Sequence, residues 1–223
     1  MVACPLCAAA TTAAHKGQGL VCGACLSAPP AFDETVAAFQ YRFPLDRLVH
    51  SFKFSANLTL TALFSEALLA AIESRAARTS RTLPARIIPL PLANKRLAGR
   101  GFNQSAELAE AVAKKLRVPY SACGLLKIRD TPPQSGLGRQ ARLKNVRGAF
   151  ECGDLNDIPA GQHIAIVDDV MTTGATLSEA ARVLKKAGAG FVSAWVVARA
   201  DPFSGPENGD MEIDEHQEGA IPF

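Results

Sequence analysis

The segment between residues 163 and 198 constrains the fold of this chain more than any other part. Two apolar runs, His163–Val167 and Phe191–Ala198, flank a helical pattern over Leu177–Ala187. Strands that are apolar throughout are typical of a parallel sheet whose two faces are both covered. A helix between two such strands supplies the crossover that parallel pairing requires. We therefore predict an α/β domain built on a parallel sheet with helices on both faces.

The chain before this segment contains further elements that fit the same class. The predicted strands are Thr35–Phe43, Ala85–Pro91, Leu125–Ile128 and Ala149–Cys152, and the predicted helices are Pro44–Phe54, Leu60 to about Ala77, and one that Asn103 caps and that ends before Pro119. Leu92–Gly101 is predicted to be a basic loop. Arg129–Arg147 shows no period, so we predict a long loop of the kind that forms lids or binding loops.

Length and composition exclude several classes of protein. With 223 residues, 48% of them hydrophobic and 20% charged, the chain has room for one full domain and a small appendage, and wholesale disorder is excluded. We expect an appendage at 1–30, the α/β domain at 31–200, and an acidic, disordered tail at 201–223, which has no Lys or Arg. The sequence shows neither an export signal nor an apolar run of the roughly 18 residues that a membrane span needs, so we expect a cytoplasmic protein.

Four of the six cysteines form two pairs near the start of the chain, Cys4-x2-Cys7 and Cys22-x2-Cys25. Each pair can present two thiolates to one tetrahedral Zn²⁺ ion, and the spacer is long enough for a hairpin. The segment has few large apolar residues, so a metal would replace the missing core. The alternatives are two disulfides, which do not suit a chain without an export signal, and a redox pair, which should follow a strand. We predict a structural zinc ribbon.

Charge is distributed unevenly along the chain. The formal net charge is +3. Residues 1–40 contribute −1 (one Lys, two acids), residues 41–148 contribute +13 (19 basic, 6 acidic) and residues 149–223 contribute −9 (4 basic, 13 acidic). A basic middle segment favours an anionic ligand, either a phosphorylated small molecule or a nucleic acid.

The stretch Ile164–Thr176, IAIVDDVMTTGAT, carries the sharpest chemical signal. Two carboxylates at the carboxyl end of a parallel strand lie where such sheets bind ligands, and they can accept hydrogen bonds from the vicinal hydroxyls of a ribose. The turn that follows combines a glycine, three threonine hydroxyls and a helix N-terminus, a combination that suits a phosphate. The alternative is a solvent-exposed acidic turn with Thr176 and Glu179 as a capping box. The stretch is neither a Walker A loop nor a GxGxxG turn.

This stretch resembles the 5-phosphoribosyl-1-diphosphate (PRPP) motif of type I phosphoribosyltransferases. Together with the two cysteine pairs, Ile87–Gln104 (IIPLPLANKRLAGRGFNQ) and Arg139–Phe150 (RQARLKNVRGAF) resemble the ComF family, whose proteins are associated with DNA uptake and the use of external DNA. The resemblance runs from Cys4 to about Ala200. It implies a type I phosphoribosyltransferase-like domain with an N-terminal zinc ribbon.

The resemblance also implies roles for single residues. Asp168 and Asp169 would hold the ribose 2′ and 3′ hydroxyls, and Asp169 would orient a water on Mg²⁺. The 5′-phosphate would be wrapped by Thr172, Thr173, Gly174, Ala175 and Thr176. Donors to the diphosphate are expected at Lys95, Arg96 and Arg100, and in a hood over Arg129–Arg147 at Arg139, Arg142 and Lys144. Lys53 is a further candidate, and Asn103 and Gln104 are either ligands or a helix cap and packing.

Two classes of function follow from these features. The first is a protein that binds PRPP or a nucleotide 5′-phosphate with Mg²⁺, with or without phosphoribosyl transfer, in DNA uptake or nucleotide salvage. A regulator that senses PRPP is a variant of it. The second is a non-catalytic adaptor whose zinc ribbon and basic loops contact single-stranded DNA or a helicase-like partner. The chain has 14 aromatic residues, most of them in apolar contexts, so it lacks an obvious row of aromatics for base stacking.

Overall fold

Twelve named elements make up the computed structural model, which describes residues 3–11, 20–54, 58–130, 144–154 and 158–200. In chain order they are α1 (Gly23–Ser27), β1 (Glu34–Gln40), α2 (Leu45–Phe54), α3 (Leu58–Thr79), β2 (Arg86–Pro89), α4 (Asn94–Arg100), α5 (Gln104–Leu116), β3 (Leu125–Lys127), β4 (Phe150–Cys152), β5 (His163–Met171), α6 (Ala175–Lys186) and β6 (Phe191–Arg199). The predicted disordered tail at 201–223 lies outside the described residues. Within the described ranges, no helix is both long and apolar enough to cross a membrane.

Four parallel strands form the main sheet in the order β1, β6, β5, β2, which makes β5 and β6 the central strands. Successive side chains of a strand point to opposite faces. In β5, Ala165 and Val167 pack with the apolar residues of α2, α3 and α5, whereas Ile164 and Ile166 pack with those of α6. Both faces are therefore buried, which is why the strand is apolar without alternation. The prediction of a parallel sheet with helices on both faces is confirmed.

A small second sheet pairs β3 with β4 in antiparallel orientation, with Leu125 opposite Cys152. Leu125 and Phe150 are buried in the core cluster that α6 forms with the main sheet. The two short strands lie on either side of the predicted long loop along the chain. The base of that loop is thus attached to the α6 face of the domain.

Helix α4 occupies most of the segment Leu92–Gly101, which the sequence predicted to be a basic loop, so that prediction is wrong. The helix ends at Arg100, and its C-cap Gly101 adopts the left-handed conformation (φ 77°) and donates its N–H to the carbonyl oxygen of Leu97 at 2.8 Å. Glycine is favoured at this position because it has no Cβ to clash. The basic residues of this segment are consequently held on a helix.

Strand β5 continues to Met171, four residues beyond the predicted end of the run at Val167. Its pairing with β6 extends through Asp168 and Met171, so both acids belong to the last part of the strand. Helix α6 begins at Ala175 with Gly174 as its N-cap. The capping box considered for Thr176 and Glu179 is therefore not formed.

The cysteine module, residues 3–11 and 20–27, forms a cluster of buried residues separate from the two clusters of the sheet. The amide of Cys4 donates to the carbonyl of Ala9 at 2.9 Å, which closes the first turn. Two side chains of the α/β domain hold the module: Thr35 Oγ1 donates to the carbonyl of Leu6 and Arg199 Nε donates to that of Cys7, both at 2.6 Å. The module is therefore attached at the start of β1 and the end of β6.

Candidate functional site

The carboxyl end of β5 presents two adjacent carboxylates. Asp168 Oδ1 accepts hydrogen bonds from Ser105 Oγ and from the amide of Asp169, both at 2.9 Å. Ser105 is buried in the first turn of α5, so helix and strand are joined directly at this acid. Asp169 Oδ1 accepts from the amide of Val170 at 2.6 Å, and its Oδ2 lies 3.7 Å from Lys53 Nζ. The pair is thus held in a defined orientation.

Burial raises the pKa of Asp168 to about 7, and the neighbouring charge of Asp169 adds to this rise. The hydrogen bonds from Ser105 and from the amide of Asp169, together with the charge of Lys53, oppose it. A carboxyl group with a pKa near 7 is only partly ionised at neutral pH. Any cation or hydroxyl donor that approaches the pair would favour the ionised form.

The residues Asn103 and Gln104 build the walls of the site through hydrogen bonds within the protein. Asn103 Oδ1 accepts from the amide of Ser105 at 3.0 Å, which caps α5, and its Nδ2 donates to the carbonyl of Leu90 at 3.1 Å. Gln104 is 1% exposed, donates to the carbonyl of Lys53 at 2.9 Å and accepts from Arg100 Nη1 at 3.3 Å. Of the two roles considered, the structure supports helix cap and packing for both residues.

The turn from Thr172 to Thr176 joins β5 to α6. Gly174 is buried in the left-handed conformation (φ 76°), and an added Cβ there would lie 3.4 Å from the Phe32 ring. Thr173 Oγ1 accepts from the amide of Ala175 at 3.4 Å, while Thr172 is exposed and Thr176 is partly exposed. The N-terminus of the 12-residue helix α6 points its first amides toward this turn. Such an arrangement is suited to an anion.

The basic candidates on α4 differ in exposure. Lys95 and Arg96 are exposed, whereas Arg100 is partly buried. Burial lowers the pKa of Arg100; the charge of Asp169 opposes this effect and the charge of Arg96 adds to it. Among the three basic candidates on α4, Arg100 is therefore the one whose pKa reflects the charge of a site carboxylate, that of Asp169.

Sequence reasoning missed two residues at this site. One is Ser105, whose hydroxyl binds Asp168. The other is Lys127 on β3, whose pKa is lowered by burial and by Arg96, while the charges of Asp130 and, after it, Asp168 oppose the shift. A serine after a capping asparagine and a lysine in a three-residue strand carry no sequence signal of their own. The packing of α5 on β5 brings Ser105 to Asp168.

The hood candidates are divided between described and undescribed parts of the chain. Arg139 and Arg142 lie in residues 131–143, outside the described residues. Lys144 is exposed at the start of a helical turn over 144–146. The two ends of this region meet, because Arg129 Nη2 donates to the carbonyls of Asn145 and Arg147 at 2.9 and 2.8 Å.

Glu179 on α6 anchors the return of the chain from the same region. Its Oε1 accepts from the amide of Gly148 at 2.7 Å, and Arg182 donates to both carboxylate oxygens at 2.7 and 2.8 Å. The hydrogen bonds from Arg182 are the largest cause of the lowered pKa of Glu179, with the amide of Gly148 contributing. Helix α6, which follows the turn 172–176, is thereby joined to the chain where it leaves the predicted hood.

The four N-terminal cysteines converge as the spacing predicted. The Sγ atoms of Cys4, Cys7, Cys22 and Cys25 all lie within 4.8 Å of one another, with 3.7 Å between those of Cys7 and Cys22. A tetrahedral ion at about 2.3 Å from each sulfur requires sulfurs roughly 3.8 Å apart. The amide of Cys22 donates to Cys4 Sγ at 3.4 Å, a bond that stabilises a thiolate. The cluster is compatible with a structural zinc ion.

Comparison with known proteins gives consistent matches. The family model "Phosphoribosyl transferase domain" matches residues 103–223. The chain is 35% identical to DNA utilization protein YhgH of Escherichia coli O157:H7 over 197 residues, which are 88% of this chain and 83% of that protein. It is 33% identical to Competence protein F of Haemophilus influenzae over 180 residues, 80% and 78% of the two chains. Adenine phosphoribosyltransferase of Saccharomyces cerevisiae superposes with a TM-score of 0.41 at 18% identity, over 65% of this chain and 71% of that one.

Proposed function

Because this chain belongs to the phosphoribosyl transferase domain family, we propose that it binds PRPP, or a nucleotide through its 5′-phosphate, at the carboxyl end of β5. Its fold is the type I phosphoribosyltransferase-like α/β domain that the resemblance implied, with the cysteine module at its N-terminus. In this proposal Asp168 and Asp169 accept hydrogen bonds from the ribose hydroxyls. The 5′-phosphate is bound by the turn that contains Thr172, Thr173, Gly174, Ala175 and Thr176.

The observation that carries this proposal is the order of groups along a single connection. Two carboxylates end a central parallel strand, and the glycine N-cap of a 12-residue helix follows Asp169 after four residues. Carboxylates suit hydroxyl donors, and helix amides suit a phosphate. A ribose 5-phosphate carries hydroxyl groups and a phosphate on one molecule. The connection from β5 to α6 presents carboxylates and then helix amides, which bind these two kinds of group.

Basic groups around the acids support a diphosphate at the other end of the ligand. Lys53, Arg100 and Lys127 are all partly buried near the carboxylates and would offset the negative charge of PRPP. Exposed Lys95 and Arg96 on α4 would extend this positive surface, with Arg139, Arg142 and Lys144 contributing from the hood. Arginine and lysine donate charge-assisted hydrogen bonds to phosphate oxygens, and such bonds are the stronger kind.

The carboxylates also fit a magnesium ion that accompanies the diphosphate. Mg²⁺ prefers oxygen ligands and keeps several waters, and Asp168 and Asp169 offer carboxylate oxygens for such waters. Bound Mg²⁺ would neutralise charge on the diphosphate. The raised pKa of Asp168, caused by burial and by the charge of Asp169, fits a site that a cation completes.

We extend the proposal to transfer of the phosphoribosyl group. In that reaction the bond between C1 of the ribose and the diphosphate oxygen breaks, the diphosphate leaves with the electron pair, and an acceptor bonds to C1 and loses a proton. The carboxylates would hold the ribose in position and the cations would stabilise the leaving diphosphate. The scheme needs no covalent nucleophile from the protein.

The cysteine module completes the proposal with one structural Zn²⁺ ion per chain, held by the four cysteines. The names of the relatives, DNA utilization protein and Competence protein F, support a role in the use of external DNA. A second candidate function is an adaptor for single-stranded DNA or a helicase-like partner. It is supported by the excess of basic residues in the segment 41–148.

Calorimetric titration of the full chain tests the two candidates against each other. PRPP and nucleoside monophosphates are titrated with and without Mg²⁺, and single-stranded DNA is titrated at several salt concentrations. We expect PRPP binding that strengthens with Mg²⁺. The alternative outcome is tight binding of single strands with a steep salt dependence and no binding of PRPP or any nucleotide. It would contradict the first candidate function and support the adaptor.

A further inference from the structure

Arg199, the last residue of β6, is a buried arginine at 2% exposure. Within the described residues its guanidinium donates to four carbonyl oxygens: Nε to Cys7 at 2.6 Å, and Nη1 to Met171 at 3.0 Å, to Thr172 and to Ala200. Among the ion pairs of the described residues, none includes Arg199. A buried cation without a carboxylate is costly unless several strong acceptors surround it, as they do here.

The carbonyls that Arg199 binds belong to two different parts of the molecule. Cys7 is one of the four clustered cysteines, and Thr172 is the first residue of the turn proposed to hold phosphate. The planar guanidinium spreads its donors over three nitrogen atoms in a fixed fork, whereas the three donors of a lysine ammonium group lie on a single atom. Thr35 makes a parallel connection, since its Oγ1 donates to the Leu6 carbonyl and lies 4.0 Å from Met171 Sδ.

Holding the carbonyl of Thr172 also orients the next amide. In a planar trans peptide the C=O and the N–H point in opposite directions. When Arg199 draws the Thr172 oxygen toward the protein interior, the N–H of Thr173 is directed away from the interior. In the same way, the hydrogen bond from Arg199 to the Met171 carbonyl directs the N–H of Thr172 away from the interior. These are the first amides of the turn that precedes α6.

We propose that Arg199 is a positioning residue that ties the turn 172–176 to the cysteine module, so that metal occupancy of the four cysteines controls how ordered that turn is. A metal ion would hold Cys7 and its carbonyl in place, and Arg199 would pass this constraint to Thr172. The inference rests on the proposed function only for its consequence, a dependence of PRPP affinity on the distant metal site.

The direct test measures hydrogen exchange of the amides of residues 172–176 in the full chain, loaded with Zn²⁺ and after chelation, without ligand. We expect chelation to speed exchange in the wild-type protein. In Arg199→Met, exchange should already be fast in the Zn²⁺-loaded form, and chelation should add little. Arg199→Lys keeps the charge but not the fork, so it should resemble Arg199→Met. Lys115→Met, which loses an ion pair with Glu66 between α5 and α3, is the control and should behave as wild type.

Titration with PRPP gives a second measurement. We expect chelated wild-type protein and Zn²⁺-loaded Arg199→Met to bind PRPP about 5- to 150-fold more weakly than Zn²⁺-loaded wild type, the range that couplings between sites usually span. If chelation leaves exchange in 172–176 unchanged, or Arg199→Met matches Lys115→Met, the inference is wrong. If exchange responds as expected but wild type binds no PRPP, the linkage stands and the proposed function fails. Should Arg199→Met not fold, Arg199→Lys and chelation of wild type decide the outcome.

Discussion

The negative charge of Asp168 suits the binding of a ligand but destabilises the folded protein. The acid is partly buried next to Asp169, and the burial together with the neighbouring charge raises its pKa to about 7 from an ordinary value of 3.8. The folded protein therefore binds a proton at this group more tightly than the unfolded chain does. Stability falls as pH rises from about 4 to about 7, and the destabilisation is fully present above pH 7. Charged groups arranged for a ligand are often unfavourable in its absence.

Asp168→Asn should remove this destabilisation while keeping the acceptor for Ser105. We expect the variant to gain stability relative to wild type as pH rises from 4 to 7, reaching up to a few kcal/mol at pH 8, because the amide does not ionise. Urea unfolding of both proteins across this pH range measures the difference. A gap between the two proteins that stays constant with pH would contradict the raised pKa of Asp168.

The same substitution should impair binding. Asp168→Asn and Asp169→Asn each lose a charge-assisted hydrogen bond of roughly 1.5–3 kcal/mol, which corresponds to about 10- to 150-fold in PRPP affinity. Affinity for single-stranded DNA should be equal or higher, because an acid has been removed near a basic surface. Titration of each variant with both ligands checks this. Weaker DNA binding together with unchanged PRPP binding would contradict the assignment of the acids.

Helix α5 organises one side of the candidate site through its first turn. Asn103 caps the helix and also binds the carbonyl of Leu90 after β2, while Gln104 binds α2 and α4. The next residue, Ser105, then binds Asp168. Three consecutive side chains thus connect the end of β5 to the neighbouring elements. The position of α5 should therefore affect both stability and binding.

Asn103→Ala should lower the free energy of unfolding by about 1–2 kcal/mol, because the helix loses its cap and the Leu90 carbonyl loses a donor. PRPP affinity should fall as well, since Ser105 is no longer held against Asp168. Glu110→Ala, at an exposed position of the same helix, is the control and should change stability by less than about 0.5 kcal/mol. Thermal unfolding and PRPP titration of the two variants measure these effects. Equal stability of Asn103→Ala and wild type would show that the cap is unimportant.

The molecule as a whole consists of a doubly covered sheet and a cysteine module with its own small cluster of buried residues. The module contributes few large apolar side chains, so its fold depends on the sulfur cluster rather than on a core. The sheet has two large cores of its own. Loss of the metal should therefore unfold the module and leave the α/β domain folded.

Metal analysis of protein purified without chelator should find one zinc ion per chain. Cys22→Ser should lose the metal and expose the first 27 residues to proteolysis, with little change in the unfolding of the α/β domain, because a structural zinc site supplies on the order of 10–16 kcal/mol to small modules. Cys123→Ser, at an exposed cysteine outside the cluster, is the control and should keep the metal. A metal-free wild-type protein with a protease-resistant module would contradict this prediction.

The sequence by itself determined the fold class, because uninterrupted apolar strands alternating with amphipathic helices are stable only in a parallel sheet covered on both faces. It also identified the four clustered cysteines, since two C-x-x-C turns present their sulfurs locally. The two acids and the turn after β5 could be recognised in the sequence for the same reason, because they lie on one short connection. Features of these kinds depend on neighbours close in the sequence.

Only the tertiary structure decided what comes together from distant parts of the chain. Ser105 and Lys127 near Asp168, and Arg199 between Cys7 and Thr172, are separated in sequence by tens to nearly two hundred residues. The helix in place of the predicted loop at 92–101 is exposed from residue 95 to residue 99, so it is held at its end, by the cap at Gly101 and by the hydrogen bond from Arg100 to Gln104 of α5. Local patterns specify elements, whereas the contacts that position a site arise from how those elements pack against one another.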